Sequence, residues 1–169
     1  MKAIVCTRYG PPEALQLQEV ATPAPTAGEV LVKIHAASVN AYDWHLLTAD
    51  IPLVRLMGGG LLRPKVAIPG EDIAGRIEMA GANVRQFRPG DEVYGDIAAY
   101  DSGGFAEYVA LPESALALKP ATLSFEEAAA VPMAALTALQ GLRDVGRIRA
   151  GQKVLINGAS GGVGTFAVQ

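Results

Sequence analysis

Over the first two-thirds of the chain, apolar and polar residues alternate in short bursts. Leu15-Gln16-Leu17-Gln18-Glu19-Val20 has the period-two pattern of a half-buried strand. Residues 3–6, 29–36, 72–79, 92–95 and 104–110 are further β-leaning runs. Turn chemistry separates them: Gly10-Pro11-Pro12, a Pro/Thr/Gly tract at 22–28, Arg88-Pro89-Gly90-Asp91 and the pair Gly103-Gly104. Strands this short, punctuated by Gly and Pro, predict a small barrel or sandwich.

Two stretches depart from that rhythm. Residues 40–47 (Asn-Ala-Tyr-Asp-Trp-His-Leu-Leu) lack alternation and predict a short helix, with Asn40 as its cap and Asp43 in the first turn. Aromatics on such a helix, Tyr42 and Trp44, are expected mainly in the core, and His45 is expected to be structural. Residues 48–69 form a long connection holding Gly58-Gly59-Gly60, of the length that usually marks function or mobility.

Beyond Pro120 the style changes. Ser124 and Glu127 have the spacing of a capping box, and helix formers follow. Pro132 is placed to open a second helix running to Val145. Gly151-Gln152-Lys153 then turns into Val154-Leu155-Ile156, which predicts a buried strand. The boundary falls near 119–123, dividing the chain into residues 1–121 and 122–169.

The strand leads into Asn157-Gly158-Ala159-Ser160-Gly161-Gly162-Val163-Gly164, the spacing of a dinucleotide fingerprint with Ala159 in the first glycine position. A pyrophosphate has to approach backbone closely at a helix N-terminus, where unpaired N–H groups and the helix dipole favour negative charge. Gly161 permits the approach, Gly164 lets helix and strand pack, and Ser160 adds a hydroxyl donor. Ala159, Ser160, Gly161, Gly162, Val163 and Gly164 are therefore the candidate cofactor-binding residues.

Composition narrows the partners. The 169 residues are 50% hydrophobic and 18% charged, a globular balance rather than a disordered one. A net charge of −3 forecasts no basic surface for nucleic acid or anionic membrane. Cys6 stands alone, so no cysteine-based zinc site can form within the chain. Arg8 interrupts the N-terminal apolar run too early for a signal peptide, and no run approaches the ~18 apolar residues of a membrane span. The expected location is the cytoplasm.

Taken in order, several motifs resemble the zinc-free quinone oxidoreductase branch of the medium-chain dehydrogenase/reductase superfamily. They are Met1-Lys2-Ala3, Gly28-Glu29-Val30-Leu31-Val32, Ala37-Ser38-Val39-Asn40-x-x-Asp43, Pro69-Gly70-Glu71-Asp72-x-x-Gly75, Phe87-x-Pro89-Gly90-Asp91-x-Val93, Gly104-Phe105-Ala106-Glu107-Tyr108, Ala130-x-Pro132-x-Ala134-x-x-Thr137-Ala138 and the glycine turn. The resemblance covers nearly the whole chain. It implies a mostly β GroES-like domain, a partly open barrel, at 1–121, without its C-terminal return segment. The start of an α/β Rossmann domain follows at 122–169.

The same resemblance implies hydride transfer from NADPH, with NADH not excluded, to a quinone, enone or enal, and a homodimer. Asn40 and Thr137 match residues beside the nicotinamide, against plainer roles as a helix cap and a helix back-bond. Asn40, Tyr42 and Asp43 are the candidate catalytic residues, with Asn40, Tyr42 or a cofactor hydroxyl as donor to a developing oxyanion and Asp43 more suited to orienting its neighbours. Zinc-dependent relatives place a Cys at the Asn40 position, a His-Glu pair at Glu71-Asp72 and another Cys near Met133; this chain departs from them at each sulfur position, which implies no metal. An enoyl-thioester reductase is the runner-up, with Arg55, Arg63 and Lys65 offering a basic groove. The rival of another class is a nucleotide-binding or interaction protein that has lost turnover. The residue that reads the adenosine ribose is expected ~20 residues beyond the turn, past Gln169. The piece on its own is expected to be inactive.

Overall fold

A computed structural model describes residues 1–51, 55, 60–65, 67–100 and 103–169. Gly58 and Gly59 of the long connection lie outside the described residues, while Gly60 accepts a 2.6 Å hydrogen bond from the Tyr9 hydroxyl.

Strands β1 (Lys2–Cys6) and β2 (Leu15–Glu19) form an antiparallel pair in which Lys2 faces Glu19 and Cys6 faces Leu15. A second sheet holds β3 (Glu29–Ser38), β4 (Asp72–Ala80), β5 (Glu92–Asp96), β6 (Tyr108–Pro112) and β7 (Ala117–Leu118). Its order is β6-β3-β4-β5-β7, antiparallel throughout. A single bridge between Ala3 and Ala106 links the first pair to the run before β6. The two sheets stay open rather than closing on themselves, which agrees with the partly open barrel expected.

Alternation explains the core. Val30, Val32, Ile73, Ile77, Val93, Ile97, Val109 and Leu111 point to one side and meet there, fully or nearly fully buried. Each such side chain stabilises the fold by roughly 1.5–3 kcal/mol relative to leaving it in water. On the other side, Ala128 and Ala129 of helix α2 (Phe125–Ala129) lie against Ala74 of β4. Small residues on both partners let this helix sit close to the sheet.

The β3–β4 pairing slips between Ile34 and Ala36, so that beyond the irregularity Ser38 faces Asp72. The displaced His35 stacks on Phe125 at 4.3 Å. Bulges commonly re-aim side chains beside a site, and this one sets the end of β3 against the start of β4, where the polar residues gather.

Lys119 fastens the junction between the two parts of the chain. Its side chain is only 5% exposed, and its ammonium lies 3.2 Å from Glu92 and donates to the carbonyls of Pro120 and Leu123. It also stands over the Phe125 ring at 5.3 Å. The Ser124–Glu127 capping box then starts α2 as expected, with bonds of 3.1 and 2.8 Å. Helix α3 (Pro132–Leu139) follows and widens into a π-helical turn at Gln140–Val145, closed by the Gly146 N–H on the Gly141 carbonyl at 2.8 Å. Helix α4 (Gly162–Ala167) packs on α3.

Two expectations need correction. Val154-Leu155-Ile156 forms no ladder, and Val154 and Leu155 are 47% and 95% exposed. An apolar run becomes a strand only when neighbouring strands take its backbone groups, and among the described residues none is placed to do so. The aromatics of helix α1 (Ala41–Thr48) are not core residues either: Tyr42 and Trp44 are 44% and 48% exposed, while Asp43 and Leu47 of the same helix are buried. Among the described residues no helix is long and apolar enough to cross a membrane.

Candidate functional site

The polar centre of the β-rich part is built around Asp72, the first residue of β4, whose side chain is fully buried. One carboxylate oxygen accepts from the Met133 backbone N–H at 3.0 Å. The other accepts from the Ser38 hydroxyl and from the Asn40 amide nitrogen, each at 3.1 Å. Burial pushes the Asp72 carboxyl above the usual aspartate range, and these three donors pull it back. A carboxylate offers about four acceptor positions, so the donors match what the group needs to stay buried.

Asn40 stands at the N-cap of α1, as its sequence position predicts, and its amide nitrogen also donates to Ser38 at 3.1 Å. The helix start is held from the other direction: one Asp43 oxygen accepts the Asn40 backbone N–H at 2.7 Å, and the other accepts the Gly70 N–H at 3.1 Å. Gly70 has φ +101, and a side chain there would run into Phe105. Glycine is therefore required where the chain turns into Glu71 and Asp72. Asp43 thus orients two backbone segments, and both its oxygens are occupied.

Tyr42 projects from the exposed side of the same helix. Burial of its inner part raises the phenol's pKa, and the carboxylates of Glu71, Asp96 and Asp43 raise it further. The hydroxyl accordingly stays protonated well beyond neutral pH, a state in which it can donate. His45 is turned away toward Asp50 at 2.9 Å.

The glycine turn is exposed from 157 to 163 and opens into α4, with Gly161 as its N-cap. A Cβ on Gly164 would collide with the Gly158 carbonyl and Ala159, so glycine here permits the helix to pack on its own turn. The faces of Gly158 and Gly161 toward solvent are uncovered. A turn with no side chain above it and helix N–H groups behind it fits the pyrophosphate of a dinucleotide. The Thr137 hydroxyl donates to the Met133 carbonyl at 2.7 Å, the helix back-bond, yet its side chain is exposed.

The structure therefore brings Asn40, Tyr42 and Asp43 together at the start of α1 and ties Asn40 through Asp72 to Met133, one turn before Thr137. Sequence reading undervalued Ser38, Asp72 and Asp96. The available signal was two consecutive acids, Glu71-Asp72, leading into the apolar run Ile73-Ala74-Gly75, where a charge is tolerated only if donors converge on it. Two concavities flank the cluster's elements. One of about 470 Å3 between β5 and α3 is lined by Tyr94, Asp96, Tyr100 and Leu136. An apolar groove of about 940 Å3 lies between α3 and the 154–169 segment, with Leu142, Val154 and Phe166 in its walls.

Comparison with known proteins gives the chain's family and fold. Residues 26–121 match the alcohol dehydrogenase GroES-like domain. The chain is 39% identical to a 2-methylene-furan-3-one reductase of Solanum lycopersicum over 176 residues, covering all of this chain and 43% of that protein. The solved quinone oxidoreductase of Coxiella burnetii superposes with a TM-score of 0.87 at 34% identity, over 99% of this chain and 52% of that one. A mycobacterial protein solved with NADPH superposes with a TM-score of 0.81 at 29% identity, over 99% of this chain and 48% of that one. The chain spans about half the length of the curated relatives it matches.

Proposed function

We propose a function from one premise: the chain belongs to the quinone oxidoreductase branch of the medium-chain dehydrogenase/reductase superfamily, through its alcohol dehydrogenase GroES-like domain. In the full-length protein, residues 1–121 serve as the substrate-binding domain and 122–169 begin the cofactor domain. The reaction is reduction of a quinone or an α,β-unsaturated carbonyl by NADPH. The tomato relative named for a furanone reductase supports the enone, the Coxiella relative supports the quinone, and the mycobacterial neighbour supports the cofactor.

The observation that carries the reading is Tyr42: a half-exposed phenol, its pKa pushed further up by burial and nearby carboxylates, on the exposed side of a helix whose Asp43 is held by two backbone N–H groups. When bound, the nicotinamide supplies the hydride, and the chain supplies positioning, electrostatics and a shaped pocket. As hydride arrives, negative charge grows on the substrate carbonyl oxygen, and the Tyr42 hydroxyl donates a hydrogen bond to it. The backbone of 159–164 receives the pyrophosphate, and Thr137 and Asn40 flank the nicotinamide.

The step runs without zinc. Support comes from the donor set: Cys6 is buried in an apolar cluster with Ala14 and Leu47, and the oxygens of Asp43 and Asp72 already accept hydrogen bonds. Among the described residues no group of three His, Cys, Asp or Glu side chains could hold a metal. The test is oxidation of NADPH by full-length protein, followed by absorbance, with a quinone and with an enone, before and after chelator treatment. Turnover that survives chelation is expected; turnover that returns only on adding zinc would overturn the metal-free step.

A further inference from the structure

Asp96 ends β5 and pairs with Asp72 on β4. Directly opposed residues of an antiparallel pair project from the same face of the sheet. Asp96 therefore stands on the face that carries Asp72 and, through it, the start of α3. Its Oδ1 accepts the Ala98 N–H at 3.0 Å, which fixes the half-buried carboxylate at the strand end. There it lines the cavity of about 470 Å3 between β5 and α3. Small-molecule pockets span roughly 300–1,000 Å3, mostly apolar with a few placed polar groups. The walls suit a flat, uncharged ring: Tyr94 and Tyr100 come from β5 and the turn after it, Val131 and Leu136 from α3 and its cap. Asp96 is the one charged side chain among the described lining residues. The Tyr42 phenol, raised first by burial and then by Glu71, feels Asp96 next. Asp96 is thus a neighbour common to the cavity and to the proposed oxyanion donor.

We propose that Asp96 is a specificity-determining residue: the cavity between β5 and α3 takes the ring of an uncharged acceptor, and the Asp96 carboxylate turns away acceptors that carry a negative charge. The inference rests on the proposed reductase reading and deepens it by naming the charge class of the substrate. Its physical basis is repulsion. An anionic substituent entering a half-enclosed, largely apolar cavity gives up water and meets a like charge, and the lower effective dielectric there strengthens that repulsion over its value in bulk water. Selectivity built by placing a charge against the wrong ligand costs the right one little.

Asp96→Asn is the informative substitution, because asparagine keeps an oxygen for the Ala98 N–H and removes only the charge. Two acceptors with one redox core are compared in full-length protein: menadione, and menadione carrying a propionate on the quinone ring. Asp96→Asn should raise kcat/KM for the propionate quinone about tenfold while changing that for menadione by less than about threefold. An unchanged ratio between the two acceptors would overturn the charge filter. Leu136→Trp, which fills the cavity from the α3 side, should raise KM for menadione about tenfold with the NADPH dissociation constant unchanged. A wild-type KM for menadione in that variant would overturn the cavity as the acceptor site.

Equilibrium dialysis of the same two quinones against full-length protein saturated with NADP+ gives a readout free of turnover. Menadione should bind more tightly than its propionate analogue, and Asp96→Asn should remove most of that advantage. Equal dissociation constants for the two quinones in wild type would refute the filter. A wild-type protein that oxidises no NADPH with menadione, yet binds it in preference to the propionate analogue and loses the preference in Asp96→Asn, would overturn the reductase reading and leave the charge filter standing.

Discussion

A phenol at neutral pH is already protonated, so the work done on Tyr42 lies in extending that state upward. Its pKa is raised first by burial and then by Glu71, Asp96 and Asp43. Because the folded value lies above the ordinary one of about 10, the donor form is fully present below that pH and is lost only as pH rises through the higher folded value. Full-length Tyr42→Phe is expected to lower kcat about 10- to 1000-fold, the range for losing one positioned donor, with NADPH affinity unchanged. The alkaline fall in kcat expected for wild type should be absent from the remaining rate. Steady-state kinetics across pH checks this; an unchanged kcat would make Tyr42 a wall of the pocket and nothing more.

Among the elements, those whose stabilisation is local were legible in the sequence. The α1 cap position and the Ser124–Glu127 box rest on residues within a few positions of one another, and the β-runs announce themselves by a local alternation even though their ladders are long-range. What was illegible depends on distant partners. Asp72 meets Ser38, Asn40 and Met133 from across the chain, and the acid pair Glu71-Asp72 signals that donors must converge there without saying which. The run at 154–156 carries a strand's composition without a strand's neighbours. Glu113 shows the same long reach in a simpler form. Its carboxylate accepts the Gln86 and Arg85 backbone N–H groups, each at 2.8 Å, which holds its pKa below the ordinary range. A lowered folded pKa contributes stability present above the unfolded value of about 4.3 and lost as pH falls through the folded one. Glu113→Gln should therefore be less stable than wild type near neutral pH, with the gap narrowing in acid. Urea midpoints measured at both pH values check it; a gap that widens in acid would contradict the assignment.

At the scale of the whole molecule, the two parts differ in how complete their packing is. The five-stranded sheet encloses a continuous apolar core, whereas the 154–169 segment borders an open apolar groove. Exposed apolar surface of this extent promotes association. The 169-residue chain by itself is expected to self-associate at micromolar concentration, and Leu155→Lys to shift it toward monomer. Light scattering over a dilution series checks this, and a monomer at every concentration would contradict it.

Lys119 bears on how the two parts move. Polypeptide joining two domains ordinarily behaves as a loose tether, and relative motion is the default. Here the tether is braced like a soldered elbow: one ammonium group grips Glu92 on the sheet and two carbonyls of the connecting turn, beneath an aromatic lid. Bending at this elbow would strip a buried charge of its partners, which costs more than flexing elsewhere. Relative motion of the two parts is therefore resisted at this junction.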